Sequence, residues 1–455
     1  MRGFRFVVVY GRRRVGKTAL ITEFVKDKDH IFYISIEQND KAALDSFSAK
    51  LLERFPSAVG LLESFSSWDI AFSYLSAQAG KQRIVLAIDE YPYLAAANPS
   101  LSSLLQKHID TSFQSTNLFL ILCGSSMSFM ENQVLGYQSP LYGRRSSQFH
   151  VVPFDYYEAG LFFPQASCED KMLAYAVCGG IPQYLNALSE YGGVTEGIGE
   201  CFLKKSGILY EEPESLLKQE LREPAVYNTL IASIAGGASR LNEISTKSGE
   251  DNKKCSKYLK TLLDLHILDK EFPYGAKTER KSIYRLRDNM FRFWYRFIPQ
   301  NMTAIESGLG MQAFERQISQ NLPSYLGYIF EDACRDYLKR LNGRPILPFM
   351  LNGVGRWWGT NPITKAQEEI DIIADAEDKA LFGECKWLTT EIGLDVLTEL
   401  RRKSGQFAQY REKKYILFSK SGFHPSLISD TSLTNVMLVS LPELYDLVFT
   451  AVPAV

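Results

Sequence analysis

Phe4-Arg5-Phe6-Val7-Val8-Val9-Tyr10-Gly11-Arg12-Arg13-Arg14-Val15-Gly16-Lys17-Thr18-Ala19 decides the fold of the first part of the chain. An apolar strand runs directly into a complete G-x-x-x-x-G-K-[ST] phosphate loop. Gly11 and Gly16 let the backbone turn tightly enough for the N–H groups of Arg12, Arg13, Arg14 and Val15 to point inward at phosphates, and Lys17 adds a point charge. Thr18 can place its hydroxyl on Mg²⁺, and Ala19 to Lys26 reads as a helix whose N-terminal dipole faces the anion. The competing reading, a chance Gly/Lys loop, does not account for a strand before and a helix after. Residues 11–19 are therefore the expected binding surface for a nucleoside triphosphate such as ATP.

Such a loop needs a carboxylate for its magnesium at the end of a neighbouring strand. Ile84-Val85-Leu86-Ala87-Ile88-Asp89-Glu90-Tyr91-Pro92 supplies it. Asp89 is the expected Mg²⁺ partner, and Glu90 is placed to orient or deprotonate an attacking water. The apolar runs Val7 to Tyr10, Ile31 to Ile36, Ile84 to Ile88, Leu118 to Leu122 and Phe149 to Val152 alternate with helical stretches. That alternation implies an α/β fold with a mostly parallel sheet and the ligand at the carboxyl ends of its strands. Cys123-Gly124-Ser125-Ser126 puts Ser125 beside the expected γ-phosphate, as a sensor of nucleotide state or as an ordinary turn residue. Pro140-Leu141-Tyr142-Gly143-Arg144-Arg145 places Arg144 and Arg145 where either could reach a γ-phosphate, its own or a neighbouring copy's; a solvated basic turn is the alternative.

At 455 residues the chain exceeds one core and suggests about three domains. A formal net charge of −1 gives no global attraction to nucleic acid or membranes, so any such binding must come from a local patch. Seven cysteines without a C-x-x-C pair read as reduced thiols and exclude a zinc or disulfide framework. No apolar run approaches the roughly 18 residues of a membrane span, and the Val7 to Val9 stretch is too short for a signal-peptide core. The expectation is a cytoplasmic protein with no membrane partner.

The local patch lies further along. Residues 154–224 read as a small helical lid on the ATP-binding core, broken at Gly179-Gly180-Ile181-Pro182. Residues 225–298 read as a winged helix-turn-helix: Ala225 to Ala235, Leu241 to Lys247, Lys253 to Leu265 as recognition helix, and strands near Ile267 to Phe272 and Ser282 to Leu286. From Ser239 to Arg287 there are twelve Lys/Arg against seven Asp/Glu, a local excess on a nearly neutral chain. Lys253, Lys254, Lys257 and Lys260 recur at helical spacing opposite an inward stripe of Tyr258, Leu259, Leu262 and Leu263, as a phosphate-contacting face would. A solvated helix face or a protein contact is the alternative. The run Phe291-Arg292-Phe293-Trp294-Tyr295-Arg296-Phe297 reads as core packing and not as a base-stacking platform.

The last third carries a second constellation. Glu331 sits on the amphipathic helix Gly327 to Leu338; Glu369 to Ala374 and Ala380 to Lys386 read as a hairpin turning at Ala376 to Lys379. Residues two apart on a strand share a face, so Glu384 and Lys386 point one way and Asp371 can join them across the hairpin. Glu331, Asp371 and Glu384 are then candidate Mg²⁺ ligands, and Lys386 can stabilise developing charge, as a metal-dependent nuclease requires. Gln406-x-x-x-Tyr410 follows as a possible supporting pair. The alternative is a strand hairpin with exposed charges.

Together the phosphate loop, Asp89-Glu90-Tyr91-Pro92-Tyr93, Cys123-Gly124-Ser125-Ser126, Pro140 to Arg145 and Gly179-Gly180-Ile181-Pro182-Gln183-Tyr184-Leu185 resemble the archaeal and bacterial AAA+-related ATPases of the signal-transduction type. The region from Ala225 through Phe291-Arg292-Phe293-Trp294-Tyr295 to Glu384-Cys385-Lys386 is similar to the DUF234 part that accompanies them, which includes a domain like the PD-(D/E)xK nucleases. Members carry a further segment ahead of the first core strand that contacts the base, whereas this loop begins at Gly11; a shortened start or an incomplete adenine pocket is the expectation. The resemblance implies an ATPase core at 1–153, a helical lid at 154–224, a winged helix at 225–298 and a nuclease-like α/β domain at 299–455. It implies an ATP-hydrolysing switch with a DNA-binding winged helix and a nuclease-like end, or a non-cutting regulatory ATPase whose C-terminal domains bind DNA or a protein partner. A homo-oligomer is a further possible assembly.

Overall fold

A computed structural model gives the fold and describes residues 3–56, 63–276, 278, 281–429 and 433–446. Its contacts divide the chain into two units, Met1–Pro153 and Phe154–Val455.

In the first unit β1 (Arg5–Tyr10), β2 (His30–Ile34), β3 (Ile84–Asp89), β4 (Leu118–Gly124) and β5 (Ser147–His150) form a parallel sheet in the order β2-β3-β4-β1-β5. Every side chain of β3 is buried, as a parallel strand covered on both faces requires. Helices α1 (Lys17–Val25), α2 (Asp40–Arg54), α3 (Trp68–Lys81), α4 (Tyr91–Ala97), α5 (Leu101–Thr111) and the single turn α6 (Met127–Phe129) supply the covers. Phe47, Phe72, Leu105 and Phe113 close one face over Phe6, Leu86 and Leu120, while Ile21 and Val25 of α1 close the other over Val7, Val85 and Ile121. Asn39 and Ser67 cap α2 and α3 by accepting from the Ala42 and Ile70 amides, each cap contributing about 1 kcal/mol.

Two details differ from the sequence expectation. The strand carrying Asp89 is not a neighbour of β1, because β4 lies between them. The last strand forms at Ser147–His150, two residues earlier than the apolar run, because all four of its side chains are exposed and hydrophobicity does not mark an uncovered edge strand.

The second unit begins with α7 (Tyr156–Gly160), α8 (Cys168–Cys178), α9 (Pro182–Ser189), α10 (Val194–Phe202) and α11 (Glu212–Glu220). Three helices follow, α12 (Pro224–Ala235), α13 (Leu241–Ser248) and α14 (Asn252–Asp264), and then an antiparallel hairpin of β6 (Leu268–Glu271) and β7 (Ile283–Leu286). Next come α15 (Asn289–Glu306), the turn α16 (Gly310–Ala313) and α17 (Leu322–Leu341). The helices at 154–224, expected as a lid on the ATPase core, fall within this unit by their contacts. The aromatic run explains why. Phe291, Phe293, Trp294, Tyr295 and Phe297 of α15 are all buried, Phe293 packs edge-on against Phe202 of α10, Trp294 Nε1 donates to the Tyr210 carbonyl at 2.6 Å, and Tyr325 Oη of α17 donates to the Ala176 carbonyl of α8 at 2.7 Å.

The unit ends in a mixed sheet of β8 (Gly353–Thr360), β9 (Gln367–Ala376), β10 (Lys379–Lys386), β11 (Glu412–Ser419) and β12 (Val436–Ser440), in the order β12-β11-β10-β9-β8, with α18 (Leu394–Ser404) crossing between β10 and β11. β9 and β10 form the expected antiparallel hairpin, and β10, β11 and β12 run parallel. β8 was not expected, because glycines interrupt its alternation. Those glycines make room for a ring: a Cβ at Gly353 or Gly355 would come within 2.6 Å of Tyr274. Among the described residues no helix is long and apolar enough to cross a membrane.

Candidate functional site

The phosphate loop leaves β1 where only glycine fits. A Cβ on Gly11 would stand 2.2 Å from the Val151 carbonyl oxygen. Gly16 caps α1 in the left-handed region at φ 91°, so the helix starts immediately behind the loop with its N–H groups toward it. Lys17 is buried, and its Nζ donates to the Gly11 and Arg12 carbonyls at 2.9 Å each. Burial lowers its pKa, opposed by the nearby Cys123, Glu90 and Asp89. Arg13 donates to Tyr93 Oη at 3.1 Å, and Arg14 takes a left-handed φ of 71°.

Across β4, Thr18 Oγ1 donates to Asp89 Oδ2 at 2.6 Å. A hydroxyl and a buried carboxylate meeting at the carboxyl ends of the strands are the hard oxygen donors that Mg²⁺ takes, so these residues fit that ion. Glu90 is held in the left-handed region at φ 53°, a conformation that a non-glycine residue keeps only when its surroundings impose it. Ser125 imposes it. The Ser125 hydroxyl donates to Glu90 Oε1 and Oε2 at 2.6 and 2.8 Å, and its amide donates to Oε2 at 3.2 Å. Ser125 therefore touches the candidate base.

The two arginines part company. Arg144 makes a two-pronged ion pair with Asp110 of α5, both contacts 2.7 Å, and donates to the Pro140 and Tyr142 carbonyls. Its guanidinium anchors its own loop to α5. Arg145 lies over the Tyr142 ring at 6.0 Å, and its charge acts on Tyr10 at the end of β1.

On α14, Lys253, Lys257 and Lys260 are exposed on one face. Lys254 is turned aside: it pairs with Glu250 at 2.9 Å and lies 5.9 Å over the Tyr258 ring. The inward stripe is Cys255, Tyr258, Leu259 and Leu262, with Leu263 only half-buried.

In the C-terminal sheet Glu331 comes from α17, Asp371 from β9, and Glu384 and Lys386 from β10. The β9–β10 ladder ends at the pairing of Gly383 with Ile372, so Asp371 and Glu384 are the next residues on the two strands, and both are buried. The Cys385 amide donates to Asp371 Oδ2 at 2.9 Å, and Lys386 Nζ donates to Glu384 Oε1 at 2.7 Å. Burial, and then the Glu384 charge, pushes the Asp371 pKa up; burial, and then the Asp371 charge, does the same to Glu331. Carboxylates crowded out of water in this way gain most from a cation. Glu331, Glu369 and Asp371 offer oxygens all within 4.8 Å of one another. Glu369 was missed, although its spacing of two from Asp371 on a strand puts both on one face. Gln406 and Tyr410 do not join the cluster. Gln406 donates to the Lys403 carbonyl and Tyr410 to Asp375.

Residues 1–188 match the family model of an ATPase domain predominantly from Archaea, and residues 294–398 match DUF234, archaeal and bacterial proteins of unknown function. An uncharacterized protein of Methanocaldococcus jannaschii is 33% identical over 388 residues, which are 84% of this chain and 83% of that protein. A second from the same organism is 35% identical over 88 residues, 18% of this chain and 85% of that protein. Among solved structures, the Walker-type ATPase of Pyrococcus abyssi superposes with a TM-score of 0.49 at 19% identity, over 64% of this chain and 91% of that one.

Proposed function

The chain belongs to the family that joins an ATPase domain predominantly from Archaea to a C-terminal DUF234 region, and from that membership we propose that it is an ATP-hydrolysing switch that acts on DNA. The observation that carries the ATPase reading is the convergence of Lys17, Thr18, Asp89 and the Ser125-held Glu90 at one end of the parallel sheet. In it the loop amides of residues 11–19 and Lys17 bind the β- and γ-phosphates, and Thr18 and Asp89 hold Mg²⁺, which neutralises phosphate charge when bound. Glu90 accepts a proton from the attacking water, and Ser125 aims it. The exposed lysines of α14 face DNA phosphates, with α12 to α14 and the β6–β7 hairpin acting as a winged helix. Glu331, Asp371 and Glu384 hold a divalent ion in a nuclease-like centre, where Lys386 stabilises charge on a phosphodiester.

A second reading, a regulatory ATPase that binds DNA without cutting it, is favoured by one observation: Gln406 and Tyr410 stand outside the carboxylate cluster. The test is phosphate release and plasmid nicking by the purified chain, with and without ATP, in Mg²⁺ and in Mn²⁺. ATP turnover that Lys17→Ala abolishes supports the switch. Turnover that survives Lys17→Ala overturns it, and turnover without nicking in either metal selects the non-cutting reading.

A further inference from the structure

The β9 strand brings a carboxylate into the C-terminal cluster that the nuclease-like pattern does not require. Glu369 and Asp371 lie two apart on that strand, and their oxygens and that of Glu331 fall within 4.8 Å of one another. Like charges at that separation repel strongly once partly removed from water, so the grouping needs compensating positive charge. Two arginines provide part of it. Arg356 of β8 pairs through Nε with Glu369, and its Nη1 lies 3.9 Å from Glu271 of β6. Arg335 of α17 lies 3.9 Å from Glu331, but its stronger contacts go to Asp332 at 2.5 Å and to the Asp371 carbonyl at 2.8 Å.

A second observation points to a missing cation. Glu384 is only 7% exposed, yet its Oε2 accepts no hydrogen bond, and the ammonium of Lys403 stays 3.7 Å away. The Glu384 carboxylate lies near enough for its charge to act on Asp371. A buried carboxylate oxygen left without a donor is costly, and a cation is the partner that would offset that cost. Oxygen-only donors select a hard divalent ion such as Mg²⁺ or Mn²⁺ over a soft one.

We propose that Glu369 is a metal ligand of this centre, binding a divalent cation together with Glu331 and Asp371, and that Arg356 is the positioning residue that holds its carboxylate toward them. The proposal rests on the reading of the C-terminal cluster as a divalent-metal centre, and it adds to that reading a ligand and a residue that orients it. Because Arg356 also reaches Glu271, the β6–β7 hairpin is joined to the ligand set through one side chain.

The experiment is a Mn²⁺ titration of the full-length chain without nucleotide, with free Mn²⁺ followed by its electron paramagnetic resonance signal. Wild type, Asp371→Ala, Glu369→Gln, Glu369→Asp and, as a control at the hairpin turn, Glu377→Gln are compared, each first shown to melt cooperatively. Glu369→Gln is expected to weaken Mn²⁺ binding at least tenfold and Glu369→Asp, which keeps the charge but shortens the reach, to weaken it several-fold, with Glu377→Gln unchanged. Arg356→Gln is expected to change Mn²⁺ affinity while leaving Glu369→Gln no weaker when the two are combined. Glu369→Gln within twofold of wild type while Asp371→Ala abolishes binding would overturn the Glu369 assignment and leave the metal centre standing. Glu369→Asp equal to wild type would also overturn it, since charge alone would then suffice. Absence of Mn²⁺ binding by the wild type, or binding indifferent to Asp371→Ala, would instead remove the metal-centre reading itself.

Discussion

Among single side chains, Ser125 has the most to say about the first unit, because it makes three contacts to the carboxylate of Glu90, a residue in the left-handed region. Glu90→Gln is expected to preserve nucleotide binding and to lower ATP turnover by about 10²-fold or more, the usual worth of a positioned general base. Ser125→Ala removes one hydroxyl and keeps the amide contact, so turnover should fall less, about tenfold, with nucleotide affinity unchanged. Fluorescent-nucleotide titration and phosphate release measure the two quantities separately; equal rates in Ser125→Ala and wild type would leave Ser125 without an orienting role. Arg144 makes the opposite case. Its fork is filled by Asp110, whose pKa the Arg144 hydrogen bond lowers first of all. A lowered carboxylate pKa contributes stability that is present at neutral pH and lost as pH falls through the folded value. Arg144→Gln should therefore lower the melting temperature at pH 7, and the difference from wild type should shrink as the pH falls below the ordinary aspartate value of about 3.9.

Whole elements divide by which face they commit. α14 buries Cys255, Tyr258, Leu259 and Leu262 and leaves Lys253, Lys257 and Lys260 to solvent. If that face meets DNA phosphates, each lysine replaced by glutamine should reduce the slope of log affinity against log salt by about one. Lys254→Gln should reduce it less, since Lys254 is already paired with Glu250. An equal loss from all four, measured by fluorescence anisotropy across salt concentrations, would contradict this division. α15 is the reverse kind of element, with its aromatic face turned wholly inward. Phe293 is fully buried between Phe202, Phe297 and Tyr325, so Phe293→Ala should cost about 3–5 kcal/mol in denaturant unfolding without touching either charged site.

Over the whole molecule, the two candidate chemistries sit in different units, the phosphate loop in Met1–Pro153 and the carboxylates in Phe154–Val455. Asp371→Ala and Glu384→Ala should each abolish metal-dependent cleavage and leave ATP turnover within about twofold of wild type, a ratio that parallel assays of one preparation read directly; loss of both activities would mean that the units do not act separately. The first unit was largely legible in the sequence. Glycine, lysine and threonine at fixed spacing admit few backbone paths, and an apolar run ending in Asp89-Glu90 within a βα alternation fits a covered parallel strand. The α13–α14 helices, the β9–β10 hairpin and the shared face of Glu384 and Lys386 were legible for the same reason: local periodicity sets which way a side chain points. What local periodicity cannot carry is the partner across space. Tertiary structure alone inserted β4 between β1 and the strand of Asp89, paired Arg144 with Asp110, grouped residues 154–224 with the second unit, and sent Tyr410 to Asp375. It also formed β8, whose glycines look like strand breakers until the Tyr274 ring that fills their place is seen. For Arg144, Tyr410 and the β8 glycines the partner lies far away in sequence, and the energy of that pairing, not the local pattern, fixed the place of each.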